Sequence, residues 1–269
     1  MAKFVSLVTT KSLWFSNMYH LGRDDPFEGA LPVGNFAHRD WAMETLPAKA
    51  RKRLELERSG GQREASLEEK LKQLIEAEDE TIRHLLRATK EYFINCWHGA
   101  DTESAAMWKL YAEDSFGIAI VSDLERITAA LSSNAETILC GTVDYIDYDR
   151  ETLDLSNAFT PTLTKRLSFA HEREVRLLHW DTSLGDEQVL MLWRGQPRMM
   201  SMAKSHADHD AINPPAGKTF KCDLEQLIKE IRIAPTAPAW FEAAVRDFCD
   251  ITGLKKPITK SDLTRSPMR

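Results

Sequence analysis

The chain has 269 residues, 43% of them hydrophobic and 28% charged, and a formal net charge of −6, enough to bury a real core in a soluble globular protein. The acidic balance argues against a general nucleic-acid coat, which shows as a basic excess, and leaves only a local basic groove open for that role. The start, MAKFVSLVTTKSLWFSN, does not read as a secretory signal, and no apolar run approaches the roughly 18 residues of a membrane span.

In chain order, KFVSLV (3–8) reads as a short strand and SLWFSN (12–17) as a second, with HLGRDDPFEGALP (20–32) a loop. Residues 40–92 are rich in Glu, Lys, Arg and Leu and read as a charged helical insertion, broken by a loop at Gly60-Gly61. A strand is expected over 92–99, a helix over 101–114 capped by Asp101 or Thr102, a strand over 116–123 and a helix over 123–133. A strand or hairpin follows at 137–149, a helix at 163–171 and a strand at 172–180. Residues 181–216 read as irregular. Strand, short helix and strand fill 217–235, an amphipathic helix ended by Gly253 covers 239–253, and a last short strand lies in 257–263. The expectation is one α+β domain over 1–269, with a mixed, mostly antiparallel sheet and 40–92 inserted. Neither G-x-G-x-x-G nor G-x-x-x-x-G-K-[ST] occurs, so a doubly wound nucleotide-binding fold lacks its fingerprints. The four cysteines, Cys96, Cys140, Cys222 and Cys249, form no C-x-x-C pair and read as reduced, mostly buried thiols of a cytoplasmic protein without a structural zinc.

Four stretches concentrate chemistry. RDDPFEG places Asp24, Asp25 and Glu28 around a Pro and before a Gly, a pattern for a tight turn or for a cation. In CWHGADTESAAMWKLYA, Ser104, Trp108 and Tyr111 share one side of a helix, where the aromatics either wall a pocket or fill core. KRLSFAHEREVRLLHW carries Glu172-Arg173-Glu174. On a strand the two glutamates share a face. Carboxylates so close need a cation between them, which Lys165, Arg166 or Arg176 can supply. The arrangement is either an ion-pair network or a site that steadies an oxocarbenium-like centre. HADHD (206–210) reads as a flexible loop rather than a metal site.

Taken together, KFVSL, SLWFSN and DDPFEG, then NCWHGADTESAAMWKLYAEDSFGIAI, KRLSFAHEREVRLL and LEQLIKEIRIAP resemble the bacterial family catalogued as domain of unknown function 2971, over nearly the whole chain. More distantly they resemble ADP-ribosyltransferases, including the DarT-like toxins that modify DNA. That resemblance implies a split-sheet fold and NAD as substrate. It implies Glu174 as the catalytic carboxylate with Glu172 beside it. Lys3 and Ser6 fall on the first strand in the place of the family's polar NAD-binding residue, where its usual His or Arg is missing. Ser104, Trp108 and Tyr111 fall at the nicotinamide, and Arg166 or Arg176 at a phosphate or carboxylate.

The leading expectation is therefore an NAD-dependent ADP-ribosyltransferase or NAD glycohydrolase, as a toxin or phage-defence effector with a nucleic-acid or protein acceptor. A non-enzymatic binding module that uses the charged segment 40–92 is the alternative. A metal-dependent nuclease built on Asp25, Glu28, Glu172 and Glu174 is a third.

Overall fold

The computed structural model describes residues 1–57, 66–112, 116–193 and 196–265. The chain opens with a helix, α1 (Ala2–Thr10), rather than the strand expected over 3–8. Its β-branched residues suggest a strand, but the buried residues Phe4, Leu7 and Val8 follow helical spacing, and the Thr9 and Thr10 hydroxyls donate back to the Val5 and Ser6 carbonyls. Lys11 takes a left-handed conformation that ends the helix and leads into β1 (Ser12–Asn17). Helix α2 (Met18–Asp24), capped by the Asn17 side chain, takes up the start of the expected loop. The rest is the turn foreseen at DDPFEG: the Phe27 N–H donates to Asp25 Oδ1, and Gly29 adopts φ 74°.

Helices α3 (Ala48–Glu57) and α4 (Leu67–Ala88) supply the helical character expected of 40–92. Leu46, Ala50, Leu54, Leu71 and Leu74 form a small core between them, separate from the main one. The Gly60-Gly61 break lies outside the described residues.

Next come β2 (Tyr92–His98), α5 (Ala105–Tyr111), β3 (Ile118–Val121), α6 (Leu124–Leu131), β4 (Leu139–Thr142), β5 (Asp144–Ile146), β6 (Thr164–Arg166) and β7 (Glu174–Trp180). Helix α5 starts later than expected. Ser104 rather than Asp101 or Thr102 is its cap, accepting from the Met107 N–H. Residues 137–149 do not form a hairpin: β4 pairs with β7, and β5 runs parallel to β6. The helix expected over 163–171 is instead β6 followed by a 3-10 turn over Leu167–Glu172.

Residues 181–216 are more regular than expected. They hold an antiparallel pair, β8 (Asp186–Trp193) and β9 (Gln196–Ala203), and the short helix α7 (His206–Asp210). The HADHD segment is the short helix α7 rather than a loose loop. His209 Nε2 lies 2.7 Å from Glu91 Oε1, and Arg87 Nε donates to Asp210 Oδ1 at 2.9 Å. Among the described residues, no three His, Cys, Asp or Glu side chains are grouped to hold a metal. The chain ends through β10 (Gly217–Lys221), α8 (Leu224–Leu227), β11 (Glu230–Ile233), α9 (Ala239–Thr252), closed by Gly253 at φ 73°, and β12 (Ile258–Lys260).

The main sheet is wholly antiparallel, in the order β10-β1-β2-β7-β4; a second has the order β12-β11-β3. The α+β class with a mostly antiparallel sheet is thus what the chain adopts. One face of the main sheet is buried by the core: Phe15, Phe93, Leu177 and Phe220 meet Phe4, Leu7 and Val8 of α1 and Phe241, Val245 and Cys249 of α9. Alternation along β7 sends Glu174, Arg176 and Leu178 to the other face. All four cysteines are free; Cys222 and Cys249 are buried, but Cys96 and Cys140 are exposed, against the expectation that most are buried.

Candidate functional site

The carboxylates of Glu172 and Glu174 converge, but not by strand alternation. Glu172 ends the 3-10 turn, Arg173 takes a left-handed conformation (φ 45°, ψ 52°), and Glu174 begins β7. That conformation is strained for a residue with a Cβ and is over-determined here. The Gly99 N–H donates to the Arg173 carbonyl at 2.8 Å, and the Glu174 N–H donates to the Tyr145 hydroxyl at 2.7 Å.

Lys165 is the cation that the paired glutamates require. Its Nζ donates to Glu172 Oε2 at 2.6 Å and to Glu174 Oε1 at 2.7 Å, and lies 3.3 Å from Glu28 Oε1. Arg176 closes the cluster from below. Nε donates to Glu174 Oε2 at 2.7 Å, Nη2 reaches both Glu28 oxygens at 3.0 Å, and Nη1 donates to the Thr162 carbonyl at 2.8 Å. The Glu174 side chain is 8% exposed and that of Arg176 1%. Three carboxylates against two cations leave this cluster one negative charge in excess when all are ionised.

The electrostatics follow from that packing. Burial alone opposes the charge on Glu174, but the Arg176 guanidinium and the hydrogen bonds around the carboxylate outweigh it and hold its pKa at about 2. Burial also opposes the Lys165 ammonium, and its bonds to Glu172 and Glu174 overcome that and push its pKa up. Glu174 is therefore a permanent anion near neutral pH. Each of its oxygens accepts one of the side-chain bonds above, and a carboxylate oxygen can take two.

The rim combines aromatic and polar groups. Tyr111, 66% exposed, donates its hydroxyl to Glu172 Oε1 at 2.9 Å; burial of the phenol oxygen and that bond raise its pKa to about 12. Phe169 lies 4.5 Å from Lys165 Nζ. Arg166 stacks on Phe27 and Phe169, at 4.6 Å and 5.3 Å, and donates to Asp25 Oδ1 at 2.8 Å. His98 Nδ1 sits 2.5 Å from the Glu172 carbonyl.

The structure gathers Glu172, Glu174, Tyr111, Arg166 and Arg176 in this region and sets the other expected residues elsewhere. Lys3 and Ser6 are exposed on α1, whose buried side packs on the opposite face of the sheet, so they do not stand on a first strand beside Glu174. Ser104 is spent on capping α5. Trp108 is partly buried and packs against the main core, with its Nε1–H on Glu103 Oε2. Arg176 is too buried and too fully engaged to meet a ligand phosphate; it supports Glu174 instead. Asp25 does not join the carboxylates around Lys165; it pairs with Arg166 alongside. Glu28 does join them, and the sequence signal for it was the DDPFEG turn, whose Gly29 lets the chain fold back over β7.

No helix among the described residues is long and apolar enough to cross a membrane. Comparison of the chain with protein-family models, with curated proteins and with solved structures finds no match. The resemblance noted from the sequence rests on its motifs.

Proposed function

We propose that the chain is an enzyme of glycosyl transfer from NAD, an ADP-ribosyltransferase or NAD glycohydrolase, with Glu174 as its central carboxylate. The observation that carries this is the buried, permanently ionised Glu174, fixed after a strained Arg173 in a cluster with one negative charge in excess. Preorganised negative charge stabilises a positive centre that develops as a bond to a leaving group breaks, and it is strongest where water is excluded. In this reading Glu174 faces the ribose, Glu172 and Tyr111 hold its neighbouring hydroxyl, and Lys165 and Arg176 keep both carboxylates in place. Arg166, half-exposed at the rim, takes an anionic group of the ligand.

The nuclease reading finds less support. Its metal belongs between Glu28, Glu172 and Glu174, where the Lys165 ammonium already sits, and Asp25 is committed to Arg166. The non-enzymatic reading is favoured by one fact: every carboxylate of the cluster has a cationic partner, as in a purely structural network.

The test is nicotinamide release from NAD by the purified chain, wild type beside Glu174→Gln, with and without DNA, RNA or protein acceptors. Release that disappears in Glu174→Gln, with the melting temperature kept, supports the proposal. No release from a folded wild type under any of these conditions returns the cluster to a structural role.

A further inference from the structure

The outer half of the main sheet has one face that the core does not use. At β1 and β10, Leu13, Phe15 and Phe220 point into the core. On the other face stand Trp14 and, opposite it in β10, Thr219. Thr219 is exposed, and Trp14 is 50% exposed. An antiparallel sheet commonly turns one polar face to water; a half-exposed indole there is a large apolar surface without a partner.

That indole is held in place. Its Nε1–H donates to Ser16 Oγ at 3.2 Å. It lies over Gly217, close enough that a Cβ on that glycine would be 2.2 Å from Trp14 Cζ2. The glycine therefore lets the ring lie against the sheet, with its outer face open. The β1–β2 register pairs Ser16 with Ile94. Continued by two residues it brings Trp14 level with Cys96, and the Asn95 side chain donates to the Trp14 carbonyl at 2.9 Å. Cys96 is exposed and pairs with Arg176. One row of the sheet thus runs from Thr219 through Trp14 and Cys96 to Arg176, beside Glu174.

We propose that Trp14 is a stacking platform for a planar heteroaromatic ring, the purine end of a dinucleotide whose other end reaches Glu174. The identity of the ligand rests on the glycosyl-transfer reading above; the platform rests on Trp14 itself. The indole lies over Gly217 of β10, three strands from β7 and level with Leu178, four residues along from Glu174, so a ring stacked on it stands roughly 19 Å from Glu174. A dinucleotide, two rings joined through two riboses and a diphosphate, has to bind fully extended to reach that far. Stacking tolerates many ring substituents because every base has a π face.

The test is isothermal titration of the full chain with AMP, ADP-ribose and nicotinamide, for wild type, Trp14→Ala and Trp14→Phe, with thermal melting as the fold control. Expected is roughly a tenfold or greater weakening of AMP and ADP-ribose binding in Trp14→Ala, largely restored in Trp14→Phe, with nicotinamide unaffected. Equal binding of AMP by wild type and a folded Trp14→Ala, or no binding of AMP or ADP-ribose by wild type, overturns the platform. Trp14-dependent AMP binding without any nicotinamide release from NAD keeps the platform and removes the glycosyl-transfer reading. Glu174-dependent release with an unchanged KM for NAD in Trp14→Ala does the reverse.

Discussion

Lys165 and Glu174 meet at 2.7 Å in a space with little water, and the same ammonium binds Glu172 at 2.6 Å. Removing it leaves buried carboxylates facing one another with only Arg176 to compensate. Lys165→Ala is expected to lose about 3–5 kcal/mol of stability. Urea unfolding at neutral pH measures this, and a loss below about 1 kcal/mol would place the ion pairs in solvent.

The acid side of the stability curve should carry the signature of Glu174. Its folded pKa, about 2, lies below the ordinary 4.5. A depressed carboxylate contributes stability that is full above its unfolded pKa and is lost as pH falls towards its folded one. The loss therefore falls between about pH 5 and pH 2 and amounts to about 3 kcal/mol at most. Unfolding free energies at pH 7, 4 and 3 should drop more steeply in wild type than in Glu174→Gln; parallel curves would deny Glu174 its buried partners.

Arg173 is an exposed residue with left-handed backbone between two buried glutamates. Arg173→Gly relieves the conformation while loosening the unfolded chain, so its stability should stay within about 1 kcal/mol of wild type. Arg173→Val, β-branched, should cost about 2 kcal/mol and disturb any activity that depends on Glu172 and Glu174 together. Thermal melts of the two variants decide; equal melts would mean that the turn is not strained.

Glu91 joins three parts of the fold. Its oxygens take the Trp180 indole N–H and His209 Nε2, each at 2.7 Å, and its carbonyl accepts from the Asp181 N–H at 2.9 Å. Glu91→Ala leaves the Trp180 and His209 ring nitrogens unpartnered and should cost about 2–3 kcal/mol. Amide exchange should quicken in α7 well before the main sheet opens, and uniform protection would show that α7 is held by other means.

The sequence carries local structure faithfully where a single period dominates. SLWFSN alternates and is β1; AWFEAAVRDFCDIT has helical spacing and a terminal glycine and is α9. It misleads where two periods compete. Phe4, Leu7 and Val8 suit a helix, but their β-branched neighbours suit a strand, and packing against α9 decides. The left-handed Arg173 has no Gly or Asn to announce it, so EREV reads as continuous strand. Lys165 is legible as a counter-ion because charge balance demands one nearby. Glu28 is legible as a candidate partner of Glu172 and Glu174, but its pairing with Arg176, 148 residues away, is not, since only the sheet brings the two together. Nor does helical spacing say which side of α5 meets the core, so Trp108 and Tyr111 look equivalent until the fold separates them.

The sheet order has a consequence for synthesis. Strand β1 pairs with β10, and Lys221 bonds back to the Thr10 carbonyl across 211 residues. Glu28 waits for Arg176, and Trp14 waits for Gly217. A chain emerging from the ribosome therefore carries its first strand unpaired on one side until most of the protein has been made. The open aromatic face forms as a late product of synthesis, after this long-range closure, so a chain truncated before β10 should lack it.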